Sequence, residues 1–254
     1  MTGGQYTSIA RFYDVLNSGV DYASWASSTA ARLKELGVPD GAIVLDLACG
    51  SGALTVELAV HGYDMIGCDI SGEMLDVARQ RPVPEGVSVF WTEQDMRSFE
   101  LYGTVGAVVC CLDSLNYLTK KADVEKCFSL CHNYLDPGGI FIFDVNTPRK
   151  FRTVYACRDY IMEEDGIFCG WSNVWNERTK TCRFILTFFE EYGDGTWTRS
   201  DETQTERCWE MRTLKELLKK TGFELLGVGS TPDMDPVTPE TERWHFEARC
   251  VKRI

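Results

Sequence analysis

Two spacings of hydrophobic residues alternate over the first 150 positions of the chain. Segments with helical spacing, the clearest at residues 121–135, lie between short apolar runs. Because apolar strands that alternate with helices form parallel sheets covered on both faces, we predict a doubly wound α/β fold. The five runs that are typical of buried strands are residues 42–47, 64–69, 87–91, 107–111 and 140–145.

The pattern changes after Pro148. Polar and aromatic residues alternate from about residue 158 to 210 with glycine turns between the segments, which is typical of antiparallel hairpins. Helical spacing returns at residues 214–220, and the runs 224–229 and 244–251 are expected to pair as an antiparallel hairpin at the sheet edge. Together these segments predict a mostly parallel sheet of seven strands with a small antiparallel β insert.

A glycine loop follows the first predicted strand and opens a helix. Gly50 and Gly52 allow a close approach of backbone and ligand, and the start of the helix offers free N–H groups. Asp69 ends the next strand, 23 residues after Asp46 (69 − 46). A carboxylate at that position accepts hydrogen bonds from ribose hydroxyls. The loop and Asp69 therefore predict a nucleoside-containing cofactor.

Two classes of cofactor fit this layout. A dinucleotide fingerprint requires a third glycine, but Thr55 occupies that place, and Asp46 would repel a pyrophosphate. An acid at the loop entry suits a cationic ligand, such as the sulfonium of S-adenosylmethionine. We therefore predict S-adenosylmethionine as the cofactor and keep an NAD-linked oxidoreductase as an alternative.

The ordered series of motifs resembles the class I S-adenosylmethionine-dependent methyltransferases over nearly the whole chain. Residues 46–52 resemble their first motif, with Ala48 in place of its first glycine, and residues 136–139 resemble the turn before their fifth strand. The resemblance implies that Asp69 holds the ribose and that Asp95 accepts from the adenine amino group. The implied cofactor-binding residues are Tyr6, Tyr13, Trp25, Asp46, Ala48, Gly50, Gly52, Asp69, Ile70, Met74, Asp95, Met96 and Leu112.

The N-terminal aromatic residues resemble the lid helices of small-molecule methyltransferases, chiefly the glycine and nucleotide-aminosugar N-methyltransferase-like branches and related bacterial methyltransferases. This resemblance implies a division into lid helices at 1–40, a cofactor-binding core and a β insert that covers the acceptor or forms a homodimer contact. The core comprises 41–150 and 211–254, and the insert comprises 151–210.

Methyl transfer from a sulfonium needs mainly positioning and desolvation, because the donor is already activated. A base is needed only if the nucleophile must lose a proton. Asp113 is the candidate catalytic residue, and Asp144 and His245 are alternatives. Asp144 fits a helix-capping or turn acid equally well, and an exposed strand histidine is the favoured interpretation of His245. Trp171 and Trp175 are read either as part of an aromatic enclosure for a cation or as packing in the insert.

The composition of the chain limits the kinds of partner and site that we expect. The chain has 38 acidic and 26 basic residues, a net charge of −12, which argues against a broad nucleic-acid or anionic-membrane surface. There is no apolar stretch of 18 residues and no basic-apolar leader at the start, so we predict a cytoplasmic protein without a membrane segment. The 11 cysteines include no C-x-x-C pair and predict packing rather than a metal site.

The sequence therefore predicts methyl transfer from S-adenosylmethionine to N or O of a small polar acceptor. The acidic runs of the insert favour a cationic amine over an anionic acceptor, although a solvated acidic surface explains them as well. Two alternatives stay open: an RNA (tRNA) methyltransferase, and a non-catalytic S-adenosylmethionine-binding protein that interacts through its β insert.

Overall fold

A computed structural model describes residues 10, 12–164 and 166–252. Alternating strands and helices form its first half, as the apolar runs predict. The elements in chain order are α1 (Tyr13–Leu16), α2 (Tyr22–Glu35), β1 (Ile43–Leu47), α3 (Ala53–Val60), β2 (Asp64–Asp69), α4 (Gly72–Gln80), β3 (Val89–Glu93), β4 (Val105–Cys110), α5 (Lys121–Tyr134) and β5 (Leu135–Asn146). A 3-10 turn, Ser114–Tyr117, lies between β4 and α5.

The second half begins with two irregular helical turns, Lys150–Val154 and Tyr155–Cys157. Four antiparallel strands then precede one more helix and a terminal pair of strands. These elements are β6 (Tyr160–Glu164), β7 (Ile167–Asn176), β8 (Thr181–Tyr192), β9 (Thr196–Arg207), α6 (Met211–Lys220), β10 (Phe223–Gly229) and β11 (Arg243–Cys250).

The main sheet has seven strands in the order β10-β11-β5-β4-β1-β2-β3, and a second, antiparallel sheet has the order β6-β7-β8-β9. Strands β1 to β5 pair in parallel, while β11 is antiparallel to both β5 and β10. The prediction of a doubly wound, mostly parallel sheet with an antiparallel insert is confirmed. The third strand begins two residues later than its apolar run, and the terminal hairpin has β10 alone at the edge.

Apolar side chains cover both faces of the main sheet. Phe128 of α5 and Leu217 of α6 belong to one buried cluster, and Leu33 of α2 and Leu58 of α3 belong to the other. Burial of this kind contributes roughly 1.5–3 kcal/mol for each large side chain. A third cluster of buried apolar side chains lies under the second sheet.

In the described part of the chain, no helix is long and apolar enough to cross a membrane.

Parallel pairing places the carboxyl ends of β1, β2, β4 and β5 at one edge of the main sheet. Ligands of open α/β sheets bind at this edge. Contacts also tie the second sheet to the edge: the Asn116 side chain donates to the Arg207 carbonyl at 2.8 Å, and the Tyr117 hydroxyl donates to Gln204 at 2.9 Å. The insert thus closes over the loops that follow β4 and β5.

Candidate active site

The glycine loop between β1 and α3 turns through three residues in the left-handed region. Ala48, Gly50 and Gly52 have φ of 60°, 55° and 76°. A Cβ on Gly52 would lie 2.4 Å from the Trp91 ring, so that glycine is required for packing against β3 as well as for the turn. The loop backbone is therefore held close to the sheet, and α3 begins beside it.

Asp46 is buried at the entry to this loop. Its Oδ2 accepts a hydrogen bond from the Thr55 hydroxyl at 2.6 Å, which explains the place of a threonine where a dinucleotide fingerprint has glycine. Burial raises the pKa of Asp46 to about 7, against the opposing effect of the Thr55 hydrogen bond. The carboxyl group lines a narrow cavity of about 20 Å³ together with Ala48 and Tyr13.

Asp69 lies at the end of β2 with 6% of its surface exposed. Its two oxygens accept from the backbone N–H groups of Gly50 and Ser71, both at 2.8 Å. Burial raises its pKa from the usual value, while these backbone hydrogen bonds oppose the shift. A carboxylate has about four acceptor positions, so these backbone contacts leave acceptor capacity for a ligand's hydroxyl groups.

Apolar side chains continue from Asp69 along the strand edge. A cavity of about 60 Å³ is followed by a wider one of about 550 Å³, with Ile70, Met96 and Tyr117 lining both. Together with the narrow cavity at Asp46, they form what we call the glycine-loop crevice. Asp95 lies in the wide part, where it accepts from Arg97 Nε at 2.9 Å; this pairing lowers the pKa of Asp95.

A second cavity, of about 230 Å³, lies beside the crevice; we call it the inner cavity. Three residues, Tyr13, Leu112 and Tyr117, line both it and the crevice, so the two spaces meet there. The inner cavity has aromatic walls and four acidic or basic side chains. Its lining includes Asp113, Lys150, Tyr155, Trp171, Phe184, Gln204, Glu206 and Arg243.

The turn after β4 presents Leu112 and Asp113 to these spaces. Both residues are in the left-handed region, with φ of 56° and 57°. The buried carboxylate of Asp144 accepts from their backbone N–H groups at 2.7 and 2.8 Å. Arg243 forms ion pairs with both acids, at 2.6 Å to Asp113. Asp144 thus stabilises the loop and pairs with Arg243, while Asp113 faces the inner cavity.

Trp25 and His245 lie behind Arg243. The Trp25 ring is 5.3 Å from the imidazole and 5.6 Å from the guanidinium carbon, and it is not among the residues that line the crevice or the inner cavity. The expectation of an exposed strand histidine is wrong, because His245 is buried in β11. Burial lowers its pKa to about 4, so its imidazole is neutral at physiological pH.

The structure brings most of the predicted cofactor residues together. Tyr6 lies outside the described residues, Gly52 packs under Trp91, and Trp175 stacks on Phe151 at 5.6 Å in the insert. The predicted residues that line the 60 Å³ part of the crevice are Tyr13, Ala48, Gly50, Asp69, Ile70, Met74, Met96 and Leu112.

Sequence reasoning missed the charged wall of the inner cavity formed by Lys150, Glu206 and Arg243. One signal was available: Glu202, Gln204 and Glu206 alternate along β9, and all three are buried. Polar residues at the inward positions of a strand indicate a polar cavity rather than a core.

A hydrogen-bonded group ties α1 to the glycine loop. Arg81 donates to the Ser51 carbonyl at 2.5 Å and to Asp14 at 2.5 Å, and the Ser51 hydroxyl donates to Asp14 at 2.7 Å. Tyr13, next to Asp14, lines both the crevice and the inner cavity. We call Asp14, Ser51 and Arg81 the α1 clasp.

These features define a class of site. A glycine loop, a ribose-type acid with open acceptor positions and an apolar slot at the carboxyl edge of a doubly wound sheet fit an adenosyl group. A buried acid at the loop entry fits a cation beside it. The comparisons agree: a methyltransferase-domain family model matches residues 44–139.

Two relatives cover nearly the whole chain. YqeM of Bacillus subtilis (strain 168), named as a methyltransferase, is 34% identical over 252 residues, which is 98% of both chains. The crystal structure of an S-adenosylmethionine-dependent methyltransferase from Clostridium acetobutylicum ATCC 824 superposes with a TM-score of 0.86 at 28% identity, over 97% of this chain and 99% of that one. The chain belongs to the class I S-adenosylmethionine-dependent methyltransferase family.

A third relative matches about half the chain. The dTDP-3-amino-3,4,6-trideoxy-alpha-D-glucopyranose N,N-dimethyltransferase of Streptomyces venezuelae is 31% identical over 137 residues, 53% of this chain and 56% of the relative. The site, the family model and the two relatives that span nearly the whole chain together make this protein an S-adenosylmethionine-dependent methyltransferase, with S-adenosylmethionine as its methyl donor.

Proposed function

We propose that this chain transfers a methyl group from S-adenosylmethionine to a nitrogen or oxygen atom of a small polar acceptor held in the inner cavity. The observation that carries the proposal is the meeting of two spaces at Tyr13, Leu112 and Tyr117. A donor in the crevice and an acceptor in the inner cavity would face each other across these side chains. At about 230 Å³, the inner cavity is smaller than the roughly 300–1,000 Å³ of sites for drug-sized ligands, which supports a small acceptor.

The chain's residues have separable tasks in this proposal. Asp69 holds the ribose, and the slot formed by Ile70 and Met96 holds the adenine. Asp46 offsets the positive charge of the donor's sulfonium. The donor supplies an activated methyl group, so the protein contributes mainly alignment and exclusion of water. Asp113 is the candidate to accept a proton from the acceptor nucleophile.

The second sheet covers the acceptor in this proposal. Glu206 of β9 and Trp171 of β7 line the inner cavity from above the edge of the main sheet. The insert would therefore select the acceptor while the core binds the donor. The name of the Streptomyces venezuelae relative, an N,N-dimethyltransferase of an aminosugar nucleotide, supports a small-molecule acceptor with nitrogen as the accepting atom.

The proposal is tested with S-adenosylmethionine that carries a trideuterated methyl group. The enzyme is incubated with a low-mass metabolite fraction and, separately, with the nucleic-acid and protein fractions of the same extract. Mass spectrometry is expected to find the label in the low-mass fraction, and Asp69→Ala is expected to abolish it. Label confined to tRNA would establish the RNA methyltransferase alternative, and donor binding without label in any fraction would favour the non-catalytic one.

A further inference from the structure

Two carboxyl groups from different sheets meet in the inner cavity. Asp113 follows β4 of the main sheet, and Glu206 lies on β9 of the insert. Glu206 is 2% exposed, and it lies beside Asp113 in the lining of the inner cavity. Its Oε2 accepts from the Asn146 side chain at 3.2 Å. Burial and the neighbouring negative charge of Asp113 raise the pKa of Glu206 and so favour its protonated form.

Both cations among the described residues that line the cavity already have partners. Arg243 is paired with Asp144 and Asp113. Lys150 donates to Asn146 Oδ1 at 3.0 Å and lies 5.3 Å from the centre of the Tyr155 ring. The Asp113–Glu206 pair is therefore the part of the cavity where a bound positive charge would be stabilised most, because a cation there replaces the proton of Glu206.

Aromatic rings complete this part of the cavity. Tyr155 and Trp171 line it, and each packs edge-on against Phe184, at 5.0 and 5.6 Å between ring centres. The indole N–H of Trp171 already donates to Asn173 at 2.7 Å, so Trp171 offers its ring rather than a hydrogen-bond donor. Aromatic faces attract cations, most strongly where water is excluded.

We propose that the inner cavity binds an alkylammonium group between the Asp113–Glu206 pair and the aromatic wall, so that the methyl acceptor is a primary or secondary amine. The inference rests on the proposed function and names its substrate class. It also makes Glu206 a second acidic residue that contacts the acceptor.

The proton balance follows from this placement. Binding of the ammonium releases the proton of Glu206 to solvent. One ammonium proton then passes to the Asp113 carboxylate, which leaves a neutral amine with a free electron pair. That pair forms the N–C bond to the methyl carbon while the C–S bond breaks and its electrons stay on sulfur. The products are a methylated ammonium, a neutral thioether and a protonated Asp113.

Burial and the nearby Asp113 raise the pKa of Glu206 well above its usual value, so release of its proton is linked to cation binding. Burial also lowers the pKa of Lys150, which makes Lys150 the competing source of a proton. Among the described residues, the charged or titratable groups in or against this part of the cavity, besides Glu206 and Tyr13, are Asp113, Tyr117, Asp144, Lys150, Tyr155, Cys182 and Arg243.

The test measures binding of two small probes, ethanolammonium and the neutral ethylene glycol, to the full-length protein saturated with S-adenosylhomocysteine. Calorimetric titrations at pH 6, 7 and 8 give the affinities. We expect ethanolammonium to bind at least tenfold more tightly than the glycol, with an affinity that rises by up to about tenfold per pH unit, as release of one proton requires. Equal affinities, a flat pH dependence or no ammonium binding would overturn the inference.

Variants identify the group whose proton is released when the ammonium binds. Glu206→Gln is expected to lose the pH dependence and most of the ammonium affinity, while Lys150→Met keeps the pH dependence. Glu202→Gln is the matched control, because Glu202 is buried on the same strand but does not line the cavity. Retention of the pH dependence in Glu206→Gln, with S-adenosylhomocysteine affinity unchanged, would overturn the assignment.

The outcomes separate this inference from the proposed function. Ammonium binding with the expected pH dependence, but no deuterated methyl on any low-mass compound, would contradict the proposed function alone. Methyl label on a low-mass alcohol, with the glycol bound as tightly as the ammonium, would contradict the amine inference alone.

Discussion

The carboxylate of Asp144 holds the backbone of Asp113, with 2.8 Å between its Oδ1 and the amide nitrogen. Its second oxygen holds the preceding amide, that of Leu112, at 2.7 Å. Two successive residues with positive φ are unfavourable for ordinary side chains, and this acid offsets their strain. One buried residue thus fixes the loop that lies between the glycine-loop crevice and the inner cavity.

Asp144→Asn is expected to lower the free energy of unfolding by about 3 kcal/mol, because it leaves one backbone N–H without its acceptor and removes a buried partner of Arg243. Urea denaturation measures the change. Asp76→Asn is the control, since Asp76 forms an exposed pair with Arg79 and should change stability by less than about 1 kcal/mol. Equal effects of the two substitutions would contradict the role of Asp144.

Ala48→Gly is expected to stabilise the protein by roughly 0.5–1 kcal/mol. Relief of the left-handed alanine gains about 1–2 kcal/mol, and the greater freedom of glycine in the unfolded chain removes about 0.4–1 kcal/mol. Thermal and urea unfolding measure the net change in the free energy of unfolding. Ala42→Gly, at a residue with ordinary φ, should destabilise, and stabilisation by both substitutions would show that strain at Ala48 is not the cause.

Asp46 makes donor binding depend on pH in a particular direction. Its pKa of about 7 means that the carboxyl group is neutral below that pH and ionised above it. The ionised form favours the positive sulfonium of S-adenosylmethionine, which S-adenosylhomocysteine lacks. The ratio of the two affinities is therefore expected to rise in favour of S-adenosylmethionine by up to about tenfold from pH 6 to 8.

Calorimetric titration of both compounds measures this ratio, and Asp46→Asn should make it independent of pH. The comparison of two otherwise matching ligands cancels titrations elsewhere in the crevice. A constant ratio in the wild type would show that Asp46 does not face the sulfonium.

The α1 clasp is expected to slow the exchange of ligands in the crevice. Arg81→Met removes its contacts to Ser51 and Asp14, and Asp14→Asn weakens the contact to α1 while it keeps Arg81 on the loop. Because the clasp is partly exposed, each substitution should cost about 1 kcal/mol and speed S-adenosylhomocysteine dissociation roughly fivefold. Stopped-flow fluorescence measures the dissociation rate of S-adenosylhomocysteine, and Arg79→Met is the surface control. An unchanged dissociation rate in both clasp variants would show that α1 does not restrict exchange.

The sequence predicted the main sheet well because its strands are continuous apolar runs, and their period leaves few alternatives. Ser71 caps α4 through its hydroxyl, which accepts from the Met74 amide, as expected for serine before a helix. Asp69 could be placed because its position follows from the end of a strand.

The inner cavity could not be predicted in the same way. Glu206 and Arg243 are 37 residues apart (243 − 206) on different sheets, and only tertiary packing brings them to one space. His245 looked exposed because a lone polar residue on a terminal strand usually is, but β11 lies between two strands and is covered by Trp25. Long-range packing, rather than local pattern, decided both cases.

Calorimetric titration of S-adenosylhomocysteine into the wild type and Asp69→Ala tests the central claim, that the crevice beside Asp69 binds the donor. The substitution removes two charge-assisted hydrogen bonds to the ribose, about 1.5–3 kcal/mol each, so affinity should fall by at least about 100-fold. Asp69→Asn keeps the shape of the side chain and should also bind weakly, with circular dichroism confirming that both variants are folded. Wild-type binding that persists within threefold in folded Asp69→Ala would contradict the account.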